Sequence, residues 1–272
     1  MAYAYAGEGS LDYQPCHYGA SKLVFRGPRR DLDLPYVAAL GGTETYGKFV
    51  PAPWPQLVEA ATGLRMVNLG CANAGADVYL CDPEVIEVAA GARMVVLQAM
   101  GAANLTNRFY AVHPRRNDRF VRAAPALTDL FPEVDFTNFH FTRHLLRTLC
   151  QVSPRRFEEV ADDLRTTWVI RMRGLVERLR VPVILLWMAE HAPADAGGLT
   201  ADPLLVDASM TAMLREVCAG YVEVRLRRSA SADPTAGMVF GALERPAVDG
   251  LPGPDAHARV AAALADALDR LV

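Results

Sequence analysis

Five short, nearly uninterrupted apolar runs set the limits on what this chain can fold into. They are YVAAL (36–40), RMVNL (65–69), RMVVLQAM (93–100), VPVILLWM (181–188) and YVEVRL (221–226). A strand with one wet face alternates apolar and polar residues, whereas a strand covered on both faces does not. Such runs therefore predict a parallel sheet buried between two layers of helix.

The intervening segments supply those helices. Residues 55–64 form a short candidate. Asp82 followed by Pro83 reads as an N-cap with proline at the first helical position, opening a helix over 83–90. Ser153–Pro154 repeats the device. Behind it, Phe157, Val160, Leu164, Trp168, Met172, Leu175 and Leu179 recur every three to four residues along one face. That helix must stop before Val181–Pro182, because proline pushes its predecessor out of helical space. Residues 203–219 and 255–271 complete the set, the last with Val260, Leu264, Leu268 and Leu271 on one face. The alternation predicts one doubly wound α/β domain from residue 35 to 272 with right-handed crossovers. A Gly- and Tyr-rich arm (1–34) precedes it, and a polar, Arg-rich insert (about 101–152) follows the third strand.

With 272 residues, 51% hydrophobic and 22% charged, the chain can bury a large core without metals or bridges. Its net charge of −3 gives no electrostatic case for nucleic acid or an anionic membrane as partner. The longest apolar run is far too short to span a bilayer. The opening MAYAYAGEGSLDYQPC has neither a basic nor an apolar leader region, and the five cysteines are odd in number with no C-x-x-C. Reduced thiols and a cytoplasmic location are the expectation. No P-loop occurs and no G-x-G-x-x-G opens a helix after the first strand, so no nucleotide or other cofactor is expected.

In an open α/β sheet, ligands bind beyond the carboxyl ends of the strands. Three strands here end in polar, Gly-containing turns: Gly41-Gly42-Thr43-Glu44-Thr45-Tyr46-Gly47, Asn68-Leu69-Gly70-Cys71-Ala72-Asn73-Ala74-Gly75, and Met100-Gly101-Ala102-Ala103-Asn104. His257 follows Pro252-Gly253-Pro254 at the start of the last helix. The predicted topology gathers all four at one sheet edge.

In order and spacing these segments resemble the SGNH (GDSL-type) hydrolase superfamily over most of 36–270. Gly41 to Thr45 sit where that family has G-D-S-x-T, and Asn68, Gly70 and Gly75 match its second turn. Gly101 and Asn104 match the third with one extra residue, and His257 takes the place of its histidine. The GGTETYG and HPRRNDRF segments resemble, more closely, a bacterial family of unknown function. The SGNH resemblance implies a flavodoxin-like strand order 2-1-3-4-5 in a three-layer α/β/α sandwich. It also implies an esterase or acyltransferase acting on a small or glycan-borne ester. Thr43 would attack, His257 would take its proton, and Asn104 with a backbone N–H at Gly70 or Gly75 would hold the oxyanion.

Two departures bear on this chemistry. Thr43 replaces the family's serine, and its methyl crowds a nucleophile on a tight turn. Pro254 replaces the family's aspartate. Asp255 could orient His257 only if the chain there is not yet helical, since residues two apart on a helix do not share a face. Thr43 has a second reading as a helix cap, and His257 as an exposed helix-start residue. Glu44 and Asn73 beside these positions are candidate ligand contacts.

Between 108 and 122 the insert carries Arg108, His113, Arg115, Arg116, Arg119 and Arg122 against one acid, Asp118. Folded over the strand ends, Arg108, Arg115 and Arg116 would grip an anionic ligand. This supports an alternative function, a non-catalytic SGNH-like protein that binds an anion or a partner; a solvated face or a homo-oligomer contact is the simpler use of such charge. His140 and His144 are four apart, but two ligands are too few for zinc.

Overall fold

The computed structural model describes residues 11–195, 198–226 and 233–271. The first ten residues of the expected arm lie outside the described residues. Five strands form the predicted parallel sheet: β1 (Val37–Leu40), β2 (Met66–Asn68), β3 (Met94–Gln98), β6 (Val183–Ala189) and β7 (Gly220–Arg225). Their order is β2-β1-β3-β6-β7, which is 2-1-3-4-5 counted within the sheet. The order reverses at β1 and β3, so the carboxyl ends of those two strands flank the switch-point crevice.

Helices cover both faces. Alternate residues of β1 explain why the run is continuous: Ala38 and Leu40 join one core, and Val37 and Ala39 join the other. The first core lies under α3 (Ala76–Leu80), α4 (Pro83–Ala90), α7 (Pro154–Leu179) and α8 (Ala208–Arg215); the second lies under α2 (Trp54–Thr62) and α10 (Pro254–Asp269). The α7 stripe is buried as its spacing predicts, each large side chain worth about 1.5–3 kcal/mol of burial. Asp82 and Ser153 cap α4 and α7 through Val85 N–H and Arg156 N–H. Trp168 ties α7 to the end of β3, its indole N–H donating to Met100 O at 2.6 Å. The helix expected over 203–219 is shorter, because 201–205 form a turn around Pro203 and Asp207 caps α8 instead.

The insert is more ordered than its polarity suggested. It holds a hairpin of β4 (Tyr110–His113) and β5 (Arg116–Ala123), then α5 (Pro125–Leu130) and α6 (Thr142–Val152). α6 buries Leu145, Leu146 and Leu149 against the domain. The described part of the arm packs Tyr18, Leu23 and Phe25 into the first core. Its Arg26 is buried and donates to Gly47 O and Pro51 O, clamping the segment that follows α1 (Thr43–Tyr46). A further short helix, α9 (Arg245–Val248), precedes α10. No helix among the described residues is long and apolar enough to cross a membrane.

Candidate functional site

A cavity of ≈ 500 Å³ opens at the carboxyl ends of β1 and β3. The first and third turns and the tail of the second meet there as the sequence predicts, and the insert forms the opposite wall. Thr43, Glu44, Asn73, Gln98 and Asn104 line it from the sheet side, and Asp118, Phe141, Arg143, His144 and Arg147 from the insert.

Asn73 joins these pieces. It sits at φ +57°, a left-handed conformation that asparagine tolerates better than most residues. Its backbone N–H donates to Thr43 Oγ1 at 2.9 Å, and its side-chain Oδ1 accepts from the same hydroxyl at 3.2 Å. Its carbonyl accepts from Asn104 Nδ2 at 2.9 Å, and its own Nδ2 donates to Asp118 Oδ2 at 3.3 Å. Asn104 Oδ1 in turn accepts from Thr142 Oγ1 at the start of α6, at 2.7 Å. One residue of the second turn thus holds the other two turns and the hairpin.

Gln98, buried at the end of β3, does the same for the first turn. Its Oε1 accepts from Gly42 N–H and Thr45 Oγ1, and its Nε2 donates to Glu44 Oε2 at 2.8 Å. Gly41 must be glycine, because a Cβ there would lie 2.4 Å from Gln98 Oε1. Burial, with the Asp202 charge second, pushes the Glu44 carboxyl above its ordinary range. Burial also raises Asp118, against the opposing pull of Arg119 and Arg116. Arg143 pairs with Asp202 at 2.5 Å. Arg147, one helical turn on and exposed, makes no ion pair among the described residues.

Several expected site residues lie elsewhere or are otherwise engaged. His257 does not line the cavity. It is 1% exposed, sits in the second core and accepts Trp54 N–H on Nδ1 at 3.0 Å. Desolvation, aided by the Arg26 guanidinium, lowers its pKa to about 3, so the ring is neutral. Thr43 Oγ1 makes both of its hydrogen bonds among the described residues with Asn73, and none with an imidazole. Asp255 lies in the first turn of a regular α10 and is exposed, so it does not orient His257.

The two backbone donors expected for an oxyanion are already occupied. Gly70 N–H donates to Asn68 Oδ1 at 2.9 Å and Gly75 N–H to Asn117 Oδ1 at 3.0 Å. Asn104 is on the wall, but its Nδ2 holds Asn73 O. Arg108, Arg115 and Arg116 are exposed and absent from the cavity wall, because the hairpin turns Asn117 inward and leaves the turn residues outside. The insert does bring cations to the cavity, through Arg143 and Arg147 of α6, with His144 between them on the wall. His140 precedes that helix, so it shares no helical face with His144.

Asn117 itself carried no sequence signal. It is 1% exposed, accepts from both Gly75 N–H and Val78 N–H, and donates to His113 O. Asn117→Ala would orphan the buried Gly75 N–H at the start of α3, at a cost of about 1–3 kcal/mol, while Val78 N–H keeps a second acceptor in Gly75 O at 3.2 Å. It is expected to lower unfolding free energy by about 1–3 kcal/mol in urea titration; a loss below ~0.5 kcal/mol would mean that water replaces the amide.

Solved structures similar to this chain include three enzymes. One is the lipase Lip_vut3 from a goat rumen metagenome, 12% identical with a TM-score of 0.46, over 86% of this chain and 97% of that one. Another is a carbohydrate esterase family 2 enzyme plus carbohydrate-binding domain from Corynascus thermopiles (Myceliophthora fergusii), 11% identical with a TM-score of 0.45, over 90% and 68%. The third is the salicylyl-acyltransferase SsfX3 from a tetracycline biosynthetic pathway, 11% identical with a TM-score of 0.41, over 89% and 57%. Comparison with curated proteins finds no match. A family model matches residues 1–272 throughout. The chain therefore belongs to the family defined by DUF6473, a domain of unknown function.

Proposed function

We propose that this protein is an SGNH-like esterase or acyltransferase acting on a small or glycan-borne ester that carries an anionic group. The observation that carries the reading is the position of Thr43. Thr43 lines a ≈ 500 Å³ cavity at the switch point, and Arg143 and Arg147 of α6 line the same cavity. The cations would take the anionic group, and the ester would lie against Thr43.

Paired aryl esters test this. The protein is expected to hydrolyse both phenyl acetate and 4-acetoxybenzoate. Arg147→Ala is expected to raise KM for 4-acetoxybenzoate about 10-fold or more, the worth of one charge-assisted hydrogen bond, and to leave phenyl acetate unchanged. Equal effects on the two esters would remove the anionic group from the reading.

A second reading is favoured by the burial of His257: the cleft binds the anionic ligand without turning it over. Saturable binding of 4-acetoxybenzoate in calorimetry, with hydrolysis no faster than in buffer, would select it.

A further inference from the structure

A second cavity of ≈ 240 Å³ is lined by Thr43, Lys48, Ala72, Asn73, Ala247 and Leu251. Thr43 and Asn73 line both cavities. We propose that the two are arms of one cleft meeting at the Thr43 hydroxyl, and that Lys48, on the wall of the smaller arm, is the base that accepts the Thr43 proton. This rests on the acyl-transfer reading of Thr43 and supplies the group that the burial of His257 leaves wanting.

The local chain explains the placement. α1 is a single turn, ended by Gly47 at φ +73°, where a Cβ would lie 2.3 Å from Pro53 Cβ. The reversal brings Lys48 back under the turn, its N–H donating to Thr43 O at 3.3 Å. The stem is half-buried, and the ammonium lies 4.6 Å from the Phe49 ring centroid. Desolvation lowers the lysine below its ordinary range, against an opposing pull from Glu244, so more of it is neutral near pH 8. Also packed around this segment are the Arg26 guanidinium, on Gly47 O and Pro51 O, and the Tyr13 hydroxyl, on Phe49 N–H.

The two half-reactions balance with water as the only co-reactant. Thr43 Oγ bonds to the acyl carbon while its proton passes to Lys48 Nζ. The ester C–O bond breaks, and Lys48 returns the proton to the leaving alkoxide or phenoxide. Water then attacks the acyl-threonine, Lys48 takes the water proton, and the Thr43 oxygen leaves and regains it. The products are the free acid and the alcohol. The acyl group and the leaving group occupy different arms, so the substrate class is an ester with two substituents of unequal size.

The test uses p-nitrophenyl acetate and intact-protein mass spectrometry, with peptide mapping of the acetyl group. The wild type is expected to acquire one acetyl group on Thr43, at a rate that rises with pH and levels off below the ordinary lysine pKa. Lys48→Met and Lys48→Arg are both expected to slow this by at least about 100-fold, the usual contribution of a general base. Added methylamine should restore part of the Lys48→Met rate.

Acetylation of Thr43 at the wild-type rate in either variant would overturn the assignment of Lys48 and leave the acyl-transfer reading intact. Slowing without methylamine rescue would do the same, reducing Lys48 to a residue that shapes the turn. Acetyl found on Lys48 instead of Thr43 would overturn the assignment too. Absence of acetyl-Thr43 in the wild type would overturn the acyl-transfer reading and this inference with it.

Discussion

Thr43→Ala is expected to abolish ester turnover, with kcat/KM for 4-acetoxybenzoate falling by at least about 100-fold and the affinity for that acid changing little. A nucleophile removed from a site that otherwise keeps its shape costs catalysis and not binding. The site should keep its shape, because Thr43 contributes two hydrogen bonds, both to Asn73, and Asn73 retains its contacts with Asn104 and Asp118. Their loss is worth about 1–2 kcal/mol of stability, too little to unfold a domain with this much buried core. Thr43→Ser serves as the complement. It keeps the hydroxyl and removes the methyl that crowds it, so its turnover is expected to equal or exceed that of the wild type. Equal turnover by wild type and Thr43→Ala, measured on freshly refolded protein to exclude a contaminating esterase, would remove acyl chemistry at this residue. The second, purely binding reading would then stand.

The sheet and the place of the cavity were legible because both rest on local signals. A strand covered on both faces has few polar positions, so β1, β3 and β6 announce themselves as runs, and the glycines after β1 and β3 mark where the chain must turn tightly. The Asn68–Gly70 hydrogen bond is equally local, an asparagine bonding two residues on. Its consequence, that Gly70 N–H is not free for a ligand, follows directly. Gly75 is different. Its partner, Asn117, lies 42 residues later on the far side of a hairpin, and nothing near either residue announces the pairing. The arginines divide in the same way. The cluster at 108–122 is dense in sequence, but a hairpin scatters its side chains. Arg143 and Arg147 are four apart on an amphipathic helix, and share a face pointing away from the buried Leu145, Leu146 and Leu149. For His257 the signal was present in its phase. It falls three and seven residues before Val260 and Leu264, on the stripe that α10 buries against α2 and β7. A histidine in phase with the core side of its own helix belongs to packing before it belongs to chemistry.

That burial makes His257 a source of acid sensitivity. Its pKa is about 3 in the folded protein, against about 6.5 in an unfolded chain. Below pH 6.5 the unfolded chain binds a proton that the folded one does not, so the stability linked to this residue is complete above pH 6.5. It falls as pH drops, by about 1.4 kcal/mol per unit, until the folded pKa is reached. Glu44, Asp77 and Asp118 work in the opposite direction. Their folded pKa values are raised by burial, so each adds stability as pH falls through it. A bare pH–stability curve therefore mixes the two, and the difference between wild type and His257→Gln separates them. Glutamine can accept Trp54 N–H through its amide oxygen, as His257 Nδ1 does, and carries no titrating group. Between pH 7 and pH 5 the wild type is expected to lose about 2 kcal/mol relative to the variant, read from urea midpoints at each pH. At pH 7 the variant should be the less stable, because an amide fills the site less well than a ring. Parallel curves would mean that the imidazole takes up its proton in the folded state. The ring would then have to reach water or a carboxylate, and His257 would return to consideration as the base for Thr43.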